Sequence, residues 1–225
     1  MRRYAILGTG GCGRGIMPLA RRQLERSAAS GPWDLVFVDD EPRAAQCNGM
    51  RVVAYADWLR EPADERHIAL AVADGRTRAR LAQRCVDDGL AFLEVRADNV
   101  VVMDAVQRGA GALLSPFVTL TSNIRIGVHF HANLYSYVEH DCVIGDYVTF
   151  APGVRCNGNV VVEDFAYIGS GAMLRQGRPG KPLVIGRGAV VGMGAVVLDD
   201  VPAGITVAGN PARRISSRGP SGATS

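Results

Sequence analysis

Four histidines occur in the 225-residue chain, and one of them, His140, stands directly before Asp141 in the stretch VEHDCVIGDYVTFAPGV, residues 138–154. A neutral imidazole can take the proton of an attacking amine or hydroxyl, and a neighbouring carboxylate favours the protonated ring. Eighteen residues later comes Gly158, in CNGNV, where a ligand can approach the backbone N–H closely because no side chain intervenes. A second chemistry-bearing stretch is GTGGCGRG, residues 8–15. A glycine loop between a strand and a helix is a ready cradle for phosphates. The spacing of Gly8, Gly10 and Gly13 fits the dinucleotide pattern, and Asp39, in the strand end FVDD, stands where an acid on a ribose is expected.

His140 must be positioned by a segment with an unusual rhythm. Every sixth residue in one phase, from Val102 through Leu120, Val138 and Cys156 to Leu174, is apolar or small, Arg108 excepted, and after a five-residue offset the phase resumes at Ile185, Val191 and Val197. Four places further on in each hexad stand small or β-branched residues such as Ala112, Val118, Val148, Val160 and Ala172. A strict hexapeptide repeat predicts a parallel β-helix: each hexad makes one short strand and turn, three make a coil, and stacked residues lie about 4.8 Å apart. A β-sandwich would not hold one phase over 13 hexads. The coil puts Gly158 one turn above His140. His140 itself follows the inward Val138 by two places, which sets it at or near a corner, outside the apolar lumen. The offset falls at RQGRPGKPLVIG, residues 175–186, which reads as a loop thrown out from one corner to line a site.

Residues 1–97 have a different pattern. YAILG (4–8), DLVFVDD (34–40), HIALAVA (67–73) and AFLEV (91–95) read as strands, with helices through RRQLERSA and RTRARLAQRCVDDG. Strands alternating with helices predict a parallel sheet with helices packed on it. The expected organisation is an α/β Rossmann-like domain over 1–97, a β-helix over 98–214 and a polar, Gly/Ser-rich disordered tail over 215–225. A composition of 48% hydrophobic and 21% charged residues is ordinary for a globular protein, and a net charge of +3 is too weak to argue for nucleic acid. No apolar run approaches the roughly 18 residues of a membrane span, and the N-terminus lacks signal-peptide character, so a cytoplasmic protein is expected. Cysteines at 12, 47, 85, 142 and 156 are odd in number and show no paired metal spacing, which predicts reduced, mostly buried thiols.

Taken together, GTGGCGRG, FVDD, NLYSYVEHDCVIGDYVTFAPGV, GAVVGMGAVVLDDVPAG and VAGNPAR resemble the NeuD/PglD-type sugar acetyltransferases, over residues 4–214. The resemblance implies an N-terminal sugar-nucleotide-binding domain and a left-handed β-helix, an exception to the right-handed crossover rule. It also implies a homotrimer with acetyl-CoA in the groove between neighbouring prisms, and no metal. On this resemblance His140 is the general base and Asp141 tunes it without carrying the proton. Gly10, Gly11, Cys12, Asp39, Asp40 and Ala73 hold the nucleotide-linked sugar, in place of NAD. The Gly158 N–H helps hold the oxyanion, and Ser170 and Met193 touch acetyl-CoA mainly through their backbone. Thr149 is a further acetyl-CoA-binding position on this resemblance, but it departs from the family's pattern: it replaces a second histidine common nine residues after the base, so any contact of that ring with the cofactor passes to a shorter hydroxyl or is lost. Ala73 likewise replaces a glycine common in the nucleotide-binding crevice. Lys181, Arg187, Arg213 and Arg214 fall where the phosphates of coenzyme A emerge, or form a solvated basic face.

The expected function is therefore acetyl-CoA-dependent N-acetylation of a nucleotide-linked amino sugar. O-acetylation of a sialic-acid-like or other sugar hydroxyl uses the same base and stays open at this stage. So do a non-catalytic scaffold that senses a sugar nucleotide and, on the glycine loop alone, an NAD-binding oxidoreductase. His129 and His131 lie close together in GVHFH, but histidine gaps of 2, 9 and 11 do not match the zinc β-helix carbonic anhydrases, which need one pair five apart. Surface or corner roles are expected for both.

Overall fold

The computed structural model describes residues 1–27 and 31–215; the expected disordered tail, Ile215 apart, lies outside the described residues. The first part contains β1 (Arg2–Leu7), α1 (Gly11–Arg26), β2 (Trp33–Asp39), β3 (Gln46–Cys47), β4 (Met50–Ala54), α2 (Tyr55–Arg60), β5 (Glu65–Leu70), α3 (Gly75–Asp87) and β6 (Ala91–Phe92). Its strands form one sheet in the order β3-β4-β2-β1-β5-β6, parallel except for the β3–β4 hairpin. β1 lies between β2 and β5, with Ile6 opposite Phe37 and Ala69. A central parallel strand is covered on both faces, which is why Tyr4, Ala5, Ile6 and Leu7 form a continuous buried run without alternation. The sequence reading missed β3, β4 and α2, short pieces without a clear period.

From Val95 onwards the chain winds as a parallel β-helix. Successive short strands visit three sheets in rotation. The first face carries Leu113–Leu114, His131–Ala132, Thr149–Phe150 and Tyr167–Ile168; the second carries Thr119–Leu120, Tyr137–Val138, Arg155–Cys156 and Met173–Leu174; the third carries Ile124–Ile126, Val143–Ile144, Val160–Val162 and Leu183–Ile185. Register partners are 18 residues apart, as with Val138 and Cys156, until the 175–182 loop lengthens one coil and Val160 faces Leu183. The inward residues of both hexad phases, including Leu120, Val148, Phe150, Cys156 and Leu174, are buried in one continuous core.

The fourth expected strand, 91–95, is divided between the two parts. Leu93 still donates its N–H to Ile68 of the sheet, whereas Val95 donates to Ala112 of the coil, so the backbone changes partner at Glu94. Val95–Arg96 is thus the first rung of the helix, pairing with Leu113–Leu114. This also explains Arg108, the exception in the apolar phase. It lies beside the open end of the prism, where its guanidinium reaches the Glu94 carboxylate at 3.0 Å.

Candidate functional site

Three corners join the faces, and each is turned by residues in the left-handed region. Between the second and third faces these are Ala105, Asn123, Asp141 and Asn159, with φ of 55, 57, 58 and 56°. Asn and Asp tolerate this conformation better than other residues with a Cβ. Asp141 is thus a turn residue, and the turn leaves its carboxylate free beside the preceding His140. Nδ1 of His140 lies 2.8 Å from Asp141 Oδ2, and the amide of Asn123, one coil below, donates to Oδ1 at 3.3 Å. These hydrogen bonds hold the Asp141 carboxyl below the usual carboxylate range, the His140 contact contributing most. With Nδ1–H donated to Asp141, the Nε2 lone pair is available for a proton. Asn123 was not anticipated, although subtracting one coil from Asp141 would have found it.

Gly158 lies against the same ring. A Cβ placed there would come within 2.5 Å of His140 Cε1 and 2.6 Å of Nε2. A glycine is needed here to make room for the imidazole. The 175–182 loop stacks directly above, with Gly177 N–H donating to the Gly158 carbonyl at 2.9 Å. Arg175, Arg178, Lys181, Pro182, Asp199 and Asp200 line a cavity of about 400 Å³ beside it. A basic loop therefore rises from the corner that carries His140.

The glycine loop occupies a separate place. Gly10 caps α1 and, with Gly11, faces open space, while a Cβ on Gly13 would collide with the Gly8 carbonyl, so that α1 can pack against the end of β1 only with glycine there. Among the described residues the α1 N-cap has no side-chain hydrogen bond, and no acid stands in the first turn, which leaves a positive end for an anion. Cys12 is half-buried, and burial pushes its thiol pKa up. Asp39 accepts from Glu41 N at 3.2 Å and from the Thr9 hydroxyl at 3.5 Å, beside the loop. Asp40 is turned towards α3, where Arg84 binds it at 2.9 and 3.1 Å. Ala73 lines a second cavity of about 380 Å³ with Asp74, Gly75, Arg76, Thr149, Phe165 and Tyr167.

The anticipated residues thus fall into three groups. His140, Asp141 and Gly158 share the second-third corner. Ser170 and the strongly exposed Met193 stack on the first-second corner, joined by Gly194 N–H to Ser170 O at 2.8 Å. Thr149 joins the crevice residues: it is buried, and its hydroxyl donates to the Ala73 carbonyl at 2.8 Å.

His129 and His131 correct the expectation of surface roles, since each is only 2% exposed. His129 does turn a corner, the third-first one, in a stack with Tyr147 and Phe165. His131 points outwards from the lumen, yet the sheet of the first part covers it. Burial, with the Arg78 charge adding to it, lowers His129 to about 4 and His131 well below its ordinary value. Among the described residues, His129 Nδ1 and His131 Nε2 have no hydrogen-bond partner. No group of three His, Cys, Asp or Glu side chains among the described residues is placed to hold a metal ion.

No family model matches the chain. Among characterised proteins, it is 48% identical to the GDP-perosamine N-acetyltransferase of Escherichia coli O157:H7 over 215 residues, 96% of this chain and 97% of that protein. The chain belongs to the sugar N-acetyltransferases of the hexapeptide-repeat type. Among solved structures, this acetyltransferase is similar to WeeI from Acinetobacter baumannii AYE, with a TM-score of 0.91 at 49% identity, covering 96% of this chain and 100% of that one. It is also similar to PerB from Caulobacter crescentus in complex with CoA and GDP-perosamine, with a TM-score of 0.79 at 25% identity over 95% and 97% of the two chains. The resemblance read from the motifs is thereby established, and the protein is an acyltransferase. No helix among its described residues is long and apolar enough to cross a membrane.

Proposed function

We propose that this enzyme transfers the acetyl group of acetyl-CoA to the amino group of a nucleotide-linked amino sugar, with GDP-perosamine as the first candidate. The observation that carries the reading is the His140–Asp141 pair at 2.8 Å on an exposed corner, in a chain 48% identical to a GDP-perosamine N-acetyltransferase. The sugar amine attacks the thioester carbonyl while His140 Nε2 takes its proton. Gly158 N–H donates to the oxygen on which charge develops. The tetrahedral species then collapses, the C–S bond breaks, and the imidazolium returns the proton to the departing thiolate. Asp141 stays ionised and holds the ring in the required tautomer.

The division of the site also has a reading. Residues 1–94 serve as the sugar-nucleotide unit, Rossmann-like in kind, with the diphosphate at the Gly10–Cys12 end of α1 and the sugar near Asp39, Asp40 and Ala73. The acyl-transfer prism, which we take to be left-handed, runs from the first rung at Val95 to residue 214, three residues before the expected boundary at 98. Ser170 and Met193 lie on a different edge of the prism from His140, so both sets reach one acetyl-CoA across a groove between neighbouring copies in a homotrimer. Lys181 and Arg178 on the protruding loop would meet its phosphates; Arg213 and Arg214 line a neighbouring cavity that shares Asp199 and Asp200 with the one beside the loop. Arg187 is engaged with Asp164 and stacked at 5.4 Å over Phe165, which favours a structural role for that cation. The reaction is assigned to the cytoplasm.

Thiol release from acetyl-CoA with GDP-perosamine, UDP- and dTDP-linked 4-amino sugars and sialic acid tests the reading, with wild type beside His140→Ala. Turnover on one amino sugar that falls by about 10²-fold or more in the variant supports it. Turnover only on sialic acid assigns the enzyme to O-acetylation. Activity that survives the substitution removes His140 from the mechanism.

A further inference from the structure

The joint between the two parts of the molecule is built around one buried cation. Arg78, on the first turn of α3, is wholly inaccessible, and its guanidinium has no carboxylate hydrogen-bond partner among the described residues. Its donors go instead to backbone oxygens of both parts. From the crevice, Nη1 reaches Val72 O at 2.7 Å and Ala73 O at 3.1 Å. From the prism, Nε reaches His129 O at 3.1 Å, and Nη2 reaches Tyr147 O at 2.7 Å, Val148 O at 3.2 Å and Thr149 Oγ1 at 3.1 Å. Thr149 closes the circuit by donating to Ala73 O. The contact is tight, since a Cβ on Gly75 would lie 2.5 Å from the Tyr147 carbonyl.

We infer that Arg78 and Thr149 are positioning residues for acyl transfer: they fix the Val72–Gly75 wall of the acceptor crevice on the prism, and so fix where the acceptor amine sits relative to the base. The inference rests on the function proposed above. A planar fork with five N–H groups can satisfy carbonyls on two sides at once, which an ammonium cannot. An apolar residue of the same length would take one donor from each of these buried carbonyls, although Ala73 O keeps the Thr149 hydroxyl and Val148 O keeps the His131 N–H. The Thr149 hydroxyl is the smallest group that accepts from the guanidinium and donates to Ala73 together. The position therefore acts on the acceptor wall of this protein, through Ala73, rather than on acetyl-CoA directly. Displacing a bound reactant by about 1 Å costs on the order of 10²-fold in rate without requiring weaker binding.

The test uses the full-length enzyme with Arg78→Lys, Thr149→Val and Thr149→Ser. Calorimetric Kd for GDP-perosamine, kcat, and KM for acetyl-CoA are measured for each, together with amide hydrogen exchange over residues 71–78 and 145–150. The expected result is a kcat lowered about 10-fold or more in Arg78→Lys and about 3-fold or more in Thr149→Val, with rescue in Thr149→Ser. The GDP-perosamine Kd and acetyl-CoA KM remain near wild type, and exchange rises over both segments but not over β1. A merely structural role would lower thermal stability while leaving kcat of the folded enzyme unchanged, and that result overturns the inference. Unchanged exchange in both segments overturns it as well. Should Arg78→Lys fail to fold, the two Thr149 variants decide by the same criteria. If wild type is inactive on GDP-perosamine, the proposed acceptor is wrong, and the same kcat and exchange criteria are then read on the amino sugar of the panel that does turn over.

Discussion

Gly158→Ala places a single methyl group against the proposed base while keeping the backbone N–H that would serve the oxyanion. The added Cβ would stand 2.5 Å from His140 Cε1, 2.6 Å from Nε2 and 3.0 Å from Nδ1, where ordinary contact begins at 3.4 Å. The ring must therefore retreat by about 0.9 Å at its closest atom. The His140 side chain is 44% exposed, so the ring can yield outwards, and the fold need not. Moving outwards takes Nδ1 away from Asp141 and Nε2 away from the acceptor. A misplacement of about 1 Å costs on the order of 10²-fold in rate, equivalent to about 2.7 kcal/mol in the barrier. Gly158 does not have a positive φ, so the backbone accepts alanine without strain, and the melting temperature should stay within a few degrees of wild type. Steady-state thiol release with saturating acetyl-CoA, alongside thermal melting, reads both quantities. A Gly158→Ala enzyme with kcat within threefold of wild type would refute the reasoning, because an imidazole forced off its position could not be the base.

Acid stability follows from His129 and His131. Both are neutral in the fold while the unfolded chain takes up protons near pH 6.5, so the stability they contribute is complete above that value. It should fall by about 1.4 kcal/mol per pH unit for each ring as the pH drops below 6.5, continuing to about 4 for His129. Denaturant melts between pH 8 and 4.5 would show this slope, and His131→Phe should flatten it. Phe150 is fully buried in the prism and packs edge-on against Phe130 at 5.2 Å; Phe150→Ala should lower stability by about 3–5 kcal/mol in urea unfolding. Alkylation of the native protein followed by mass spectrometry should modify Cys12 and Cys47 and spare Cys85, Cys142 and Cys156, which are buried, until denaturant is added. Asp141→Asn removes the charge beside His140 but keeps an acceptor; kcat should fall about 10-fold with acetyl-CoA KM unchanged.

The hexad repeat made the prism legible. Side-chain direction in a coil of fixed geometry depends only on position within the period, so Leu120, Val138 and Cys156 declared themselves as interior. The same period placed Gly158 above His140. What it could not register was the first rung at Val95–Arg96, since the chain changes partner there through backbone N–H groups that carry no sequence mark. It also could not separate Asp40 from Asp39: adjacent acids at a strand end read alike, and Arg84, more than 40 residues away, draws one of them aside.

The sequence by itself therefore determined the β-helix, the family and the corner on which His140 and Asp141 meet, because these follow from local period and motif. Only the tertiary structure decided what happens where the two parts touch. His131, Thr149 and Tyr167 occupy the same rung position on successive coils, and the pattern treats them alike. The first part lands on the first two, burying them, and leaves Tyr167 38% exposed. Arg78 looks in the sequence like one of several basic residues on a helix. Its partners there are mainly backbone carbonyls, which every residue possesses, so only folding reveals that this arginine joins the crevice to the prism.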